Sequence, residues 1–176
     1  MSQPWMGGSY DVAARVLTLL KERAETLATA ESLTGGLIGD LITSVPGAST
    51  VYRGGVITYA TELKTVLAGV SPQTLTAHGP VAEDTAAELA YGAAQRCRAD
   101  WGIAATGVAG PDRQDGQPVG TVFVAAAHPA GGDDQVWVER LSLSGSRAEI
   151  RRAAAVEALS LLERSVGMCR SIPDVM

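Results

Sequence analysis

Thr26-Leu27-Ala28-Thr29-Ala30-Glu31-Ser32-Leu33-Thr34-Gly35-Gly36-Leu37-Ile38-Gly39-Asp40-Leu41-Ile42 is the stretch whose reading decides the fold. Thr26 to Ala30 carries small and apolar residues, as a short buried strand does. Leu33 to Ile42 then reads as a helix that ends before Pro46. Ser32 stands at the junction, and two glycines open the helix. A strand that turns into a helix at a hydroxyl residue is an α/β element, and the rest of the chain repeats the theme.

Working outward, Asp11 to Arg23 is a helical stripe with Val12, Val16, Leu19 and Leu20 on one face, preceded by a loose tail over Met1 to Gly8. Val45-Pro46-Gly47-Ala48-Ser49 is a loop by its Pro-Gly pair. Gly54 to Tyr59 reads as a strand and Thr61 to Leu67 as a short helix. Ser71-Pro72 opens another helix, with proline at a permitted first-turn position. Val81 begins a longer helix whose first turn holds Glu83 and Asp84, which suits the helix dipole. Trp101 to Thr106 is an apolar strand, and Gly107 to Pro118 a Gly/Pro/Asp-rich loop. Val119 to Ala127 and Gln135 to Leu143 are strands joined by a turn at Ala130-Gly131-Gly132. Ser146 to Arg164 is a helix, and Ser165 to Met176 a tail. Strands alternating with helices, then a hairpin, predict an α/β fold: a three-layer α/β/α sandwich around a mixed, mostly parallel sheet. The 176 residues fit a single domain, with its core over about 9–165.

Composition narrows the function. Hydrophobic residues make up 46% and charged residues 19% of the chain, as in a globular protein. The net charge of −5 argues against stable nucleic-acid binding, which needs a basic field. A locally positive pocket for a small anion remains compatible with it. Cys97 and Cys169 have no metal-ligand spacing, and two histidines are too few for a histidine metal site. No apolar run reaches membrane-span length, and the N-terminus lacks the pattern of a signal peptide. The expectation is a cytoplasmic protein with reduced thiols.

Four clusters carry chemistry. In Ala30-Glu31-Ser32-Leu33-Thr34-Gly35-Gly36, the hydroxyl of Ser32 sits beside unpaired N–H groups that can donate to an oxyanion. Gly35 and Gly36 admit a substrate close to the backbone. Equally, Ser32 could simply cap the helix. Tyr59 and Lys64 form the second cluster: a desolvated lysine can serve a serine as general base, with a phenol to relay the proton or hold the amine. The plain alternative is a rim tyrosine and a solvated lysine. Third, Thr106-Gly107-Val108-Ala109-Gly110-Pro111 follows a strand, where α/β sheets place ligands; it matches neither a Walker nor a Rossmann loop. Fourth, Ser144-Gly145-Ser146-Arg147, with Arg151 and Arg152 beyond, is either an anion site or a serine-capped helix with solvated arginines.

Taken in order, these clusters resemble the CinA C-terminal domain family, the nicotinamide-nucleotide amidases. The resemblance runs from about Ala14 to Leu161 and also includes Val45-Pro46-Gly47-Ala48-Ser49, Gly54-Gly55-Val56-Ile57-Thr58-Tyr59 and Pro118-Val119-Gly120-Thr121-Val122. It implies a hydrolase that converts nicotinamide mononucleotide to nicotinic acid mononucleotide and ammonia, with no metal or cofactor, in a homo-oligomer. It implies Ser32 as nucleophile, Lys64 as its base and Tyr59 as the phenol beside them. Thr34, Gly35, Gly36, Ser49, Thr106 and Gly107 would line the substrate site, and Arg147 would hold the phosphate end. Gln117 stands where the family often has lysine, Ser146 where aspartate is usual, and Asp112, Arg113 and Asp115 replace a more glycine-rich stretch. Many family members also carry an N-terminal pyrophosphatase-like domain, whose activity is not expected here. Two other readings are a nucleotide-binding regulatory module with weak catalysis and an amidase for another small carboxamide.

Overall fold

The computed structural model describes residues 6–131 and 135–169. Its elements are α1 (Met6–Glu22), β1 (Leu27–Glu31), α2 (Leu37–Thr43), β2 (Tyr52–Ile57), α3 (Thr61–Ala68), α4 (Pro72–His78), α5 (Glu83–Cys97), β3 (Trp101–Gly107), β4 (Thr121–Ala127), β5 (Val136–Ser142) and α6 (Arg147–Met168). Single 3-10 turns occupy Ala48–Thr50 and Pro129–Gly131. The helix expected from Asp11 already begins at Met6. The C-terminal helix runs on to Met168, because Ser165, Val166 and Cys169 are buried against the core. Arg23 donates to the carbonyls of Val166 and Cys169 and so satisfies the end of α6. The rest of the two expected tails, 1–5 and 170–176, and Gly132 of the expected hairpin turn lie outside the described residues.

The sheet has five strands in the order β2-β1-β3-β4-β5. β1 pairs in parallel with both β2 and β3, and the hairpin pairs β3–β4 and β4–β5 are antiparallel. Among the described strands, β4 alone runs against the others. The predicted mixed, mostly parallel sheet is therefore observed. The chain steps from β1 outward to β2, then back across β1 to β3. Right-handed crossovers in opposite directions put their helices on opposite faces. One face accordingly packs on α1, α2 and α6 through Leu27, Ile103, Val122 and Val124, and the other on α5 through Ala28, Ala30, Ala104 and Ala125. The three layers follow.

Small residues set the spacing on the α5 face. A Cβ at Gly102 would run into the Ala90 carbonyl, so β3 and α5 touch backbone to backbone. A Cβ at Gly92 would run into the Ala68 carbonyl at the end of α3. These close approaches draw α3 inward, and with it Lys64, toward the carboxyl ends of β1, β2 and β3. Reversal of strand order beside β1 opens the crevice where open α/β sheets hold ligands.

Candidate active site

Ser32 is fixed before its side chain is considered. Its N–H donates to the Ala105 carbonyl at 3.0 Å, and the Thr58 N–H donates to the Glu31 carbonyl at 2.8 Å. The ladders of β1 with its two neighbours thus extend to the nucleophile candidate. A turn follows, closed by the Gly35 N–H on the Ser32 carbonyl at 3.1 Å. Gly35 and Gly36 take φ of 58° and 105°, backbone that favours glycine.

These glycines correct the predicted helix start: α2 begins at Leu37, not Leu33. They correct the capping alternative too. The buried Glu31 carboxylate accepts from the N–H groups of Gly36 at 2.9 Å, Ile38 at 3.0 Å and Gly39 at 2.9 Å. Glu31 therefore does the work assigned to a cap, and the Ser32 hydroxyl is left for other partners. The N–H groups of Leu33 and Thr34, at the centre of the turn, have no hydrogen-bond acceptor among the described residues.

The partner of Ser32 is Lys64, whose Nζ donates to Ser32 Oγ at 3.0 Å and to the Thr58 carbonyl at 2.9 Å. Lys64 is only 1% exposed, which excludes the solvated-lysine alternative. Among the described residues no carboxylate forms a salt bridge with it. Burial lowers its pKa from 10.5 to about 8, with Glu62 pulling weakly the other way. A lysine ready to lose its proton near neutrality thus touches a buried serine hydroxyl.

Tyr59 is the exposed rim residue of the two alternatives, 60% accessible. Its hydroxyl accepts from Arg147 Nη2 at 2.8 Å, and among the described residues no hydrogen bond joins it to Ser32 or Lys64. Arg147 also donates through Nη1 to the Gly110 carbonyl at 2.6 Å. Thr106 donates to the Pro80 carbonyl at 2.7 Å. Ser32, Tyr59, Lys64, Thr106, Gly107 and Arg147 all line one cavity of about 110 Å³. A larger groove, about 540 Å³ beside α3 and α5, contains none of them.

Four expected substrate contacts are not brought to this cavity. Thr34 is fully buried, with a hydroxyl that has no partner among the described residues. Gly35 faces Arg151 and Gly36 faces Ile57. Ser49 lines a separate hollow with Pro46 and Tyr52. Ser146 takes the capping reading: its hydroxyl accepts from the Glu149 N–H, and Glu149 answers on the Ser146 N–H, a capping box. Of two further cavity residues, Asp112 stood out only as a departure from the family's glycine-rich stretch, and Gln114 carried no signal beyond its place in the loop. Glu31 was missed as well; a lone carboxylate at the end of a buried strand was its signal. Among the described residues no three His, Cys, Asp or Glu side chains are grouped to hold a metal, and no helix is long and apolar enough to cross a membrane.

Residues 9–166 match the sequence profile of the CinA C-terminal domain. A CinA-like protein of Frankia casuarinae is 45% identical over 90% of this chain, and one of an Anaeromyxobacter species is 48% identical over 86%. The chain spans 36% of the length of each of these relatives. Among solved structures, the competence/damage inducible protein CihA of Agrobacterium tumefaciens superposes with a TM-score of 0.86 at 36% identity, covering 94% of this chain and 99% of that one.

Proposed function

The chain belongs to the CinA C-terminal domain family, and from that premise we propose that it hydrolyses the carboxamide of nicotinamide mononucleotide, giving nicotinic acid mononucleotide and ammonia. The observation that carries this reading is the 3.0 Å contact between the buried Lys64 amine and Ser32 Oγ. In neutral Lys64 the Thr58 carbonyl takes one amine hydrogen, which leaves the nitrogen lone pair for the Ser32 proton. Ser32 Oγ attacks the carboxamide carbon while Lys64 takes that proton. The N–H of Leu33, on the cavity wall beside Ser32, receives the developing oxyanion; a donor of this kind is worth roughly 3 kcal/mol. Collapse expels ammonia with the proton from Lys64, and water repeats the attack on the Ser32 ester. No metal or cofactor enters these steps.

Arg147 holds the phosphate. Two of its hydrogen bonds go to Tyr59 and Gly110, and a guanidinium has five donors. Tyr59 thereby acts through Arg147 at the rim. The deciding assay is ammonia release from nicotinamide mononucleotide by the wild type, Ser32→Ala and Lys64→Ala, beside nicotinamide riboside, which lacks the phosphate. Turnover by the wild type alone, weaker on the riboside, is the expected result. Release that survives in Ser32→Ala sinks the mechanism. Tight nucleotide binding without turnover points instead to a regulatory module.

A further inference from the structure

Arg151, on the second turn of α6, reaches across the molecule to the turn that follows Ser32. Its Nε donates to the Leu33 carbonyl at 2.8 Å and its Nη2 to the Thr34 carbonyl at 2.8 Å. Among the described residues no carboxylate forms a salt bridge with this guanidinium. Its two side-chain hydrogen bonds go to two adjacent main-chain carbonyls, a fork matched to a pair of oxygens.

Those carbonyls belong to the residues whose N–H groups are unpaired. In a peptide unit the C=O and N–H point in opposite directions, so holding the Thr34 carbonyl fixes the Gly35 N–H, and the bond of that N–H to the Ser32 carbonyl in turn fixes where the Leu33 N–H points. The turn closed by Gly35 on Ser32 leaves the N–H groups of its two central residues, Leu33 and Thr34, without an acceptor among the described residues. At serine nucleophiles that follow a strand, the N–H of the next residue is a recurrent oxyanion donor. The two ends of the segment are thus held by different charges. Glu31 takes the amides at its far end, which removes the α2 N-terminus as a competing anion site. Arg151 takes the carbonyls behind Leu33 and Thr34.

We propose that Arg151 is the positioning residue of the oxyanion cradle: by clamping the Leu33 and Thr34 carbonyls it holds the turn in which the Leu33 N–H meets the oxygen of a group under attack by Ser32. This rests on Ser32 being the nucleophile, but not on which carboxamide is cleaved.

The test uses a fluorophosphonate probe on the full chain. Ser32 Oγ forms the O–P bond, fluoride leaves with the P–F electron pair, Lys64 takes the hydroxyl proton, and the phosphoryl oxygen occupies the cradle. Labelling of Ser32 is followed by mass spectrometry for the wild type, Arg151→Ala and Arg151→Lys, with folding checked by circular dichroism. Arg151→Ala is expected to label about 10²-fold more slowly, the scale of a misplaced reacting geometry. Arg151→Lys, with one donor head, falls between. Millimolar guanidinium restores part of the Arg151→Ala rate, and the pH midpoint of labelling does not move. Labelling of Arg151→Ala at the wild-type rate overturns the proposal, as does a slow rate that guanidinium leaves unchanged or a shifted midpoint. A wild type that does not label at Ser32 overturns it too. A wild type that labels Ser32 yet releases no ammonia from nicotinamide mononucleotide sinks the substrate reading and leaves the clamp standing.

Discussion

Lys64 concentrates the chemistry because burial changes what an amine is. In water its lone pair is blocked by a proton at every physiological pH. Under the end of β2 the charged form loses solvent, and among the described residues the Ser32 hydroxyl and the Thr58 carbonyl receive its hydrogens. On the proposed mechanism, activity depends on the fraction without the added proton. kcat/KM is expected to rise tenfold per pH unit below about 8 and to level off above it, following Lys64. A pH–rate profile on nicotinamide mononucleotide checks this. Lys64→Arg keeps a charge but offers no base near neutrality, and should lose roughly 10²–10⁴-fold in kcat without the same pH dependence.

At the scale of elements, α2 is short, seven residues, and opens on two glycines in left-handed backbone. Such a helix has little intrinsic stability. It persists because Glu31 holds three of its first amides from the strand before it. Glu31→Gln replaces one acceptor oxygen by an NH₂ that faces an N–H donor. The expected cost is about 3 kcal/mol, from lost charged hydrogen bonds and an unsatisfied buried donor. A urea unfolding curve would show it as a lower midpoint at unchanged slope. The turn bearing Ser32 shares this support, so activity should fall along with stability in Glu31→Gln.

For the whole molecule, the site runs against the protein's charge balance. The chain carries a net −5, yet Lys64, Arg147 and Arg151 converge on or behind one cavity. Keeping an amine there has a stability consequence whose sign follows from linkage. Below about pH 8 both the folded and the unfolded chain carry the Lys64 proton, and the burial cost is fully present. Between about 8 and 10.5 the unfolded chain holds the proton and the folded chain does not, so this group adds stability as pH rises. Lys64→Met should therefore be more stable than the wild type below pH 8, with the difference shrinking across that window. Urea unfolding of both proteins on either side of the window measures it. On the proposed mechanism, the base is kept at some expense of stability.

Alternating apolar strands and helices, the Pro-Gly loops and the final hairpin made the three layers legible from Ala30, Ile103 and Val124 outward, because burial periodicity is a local property of the chain. The grouping of Ser32, Lys64, Thr106 and Arg147 was legible only through family resemblance. Their local contexts alone fitted a cap, a surface lysine, a loop and a solvated arginine. Tertiary structure settled the cap in favour of Glu31 and placed the Tyr59 hydroxyl on Arg147. It also moved Ser49 to another hollow and turned Arg151 onto the turn after Ser32. Each of these is a contact between atoms on different elements. Periodicity along a chain tells which face of an element is buried, but not which polar group from another element meets it there. Hydrogen-bond partners are set by crossover direction, by close approaches such as Gly92 on Ala68, and by which donors remain unpaired once the layers have packed.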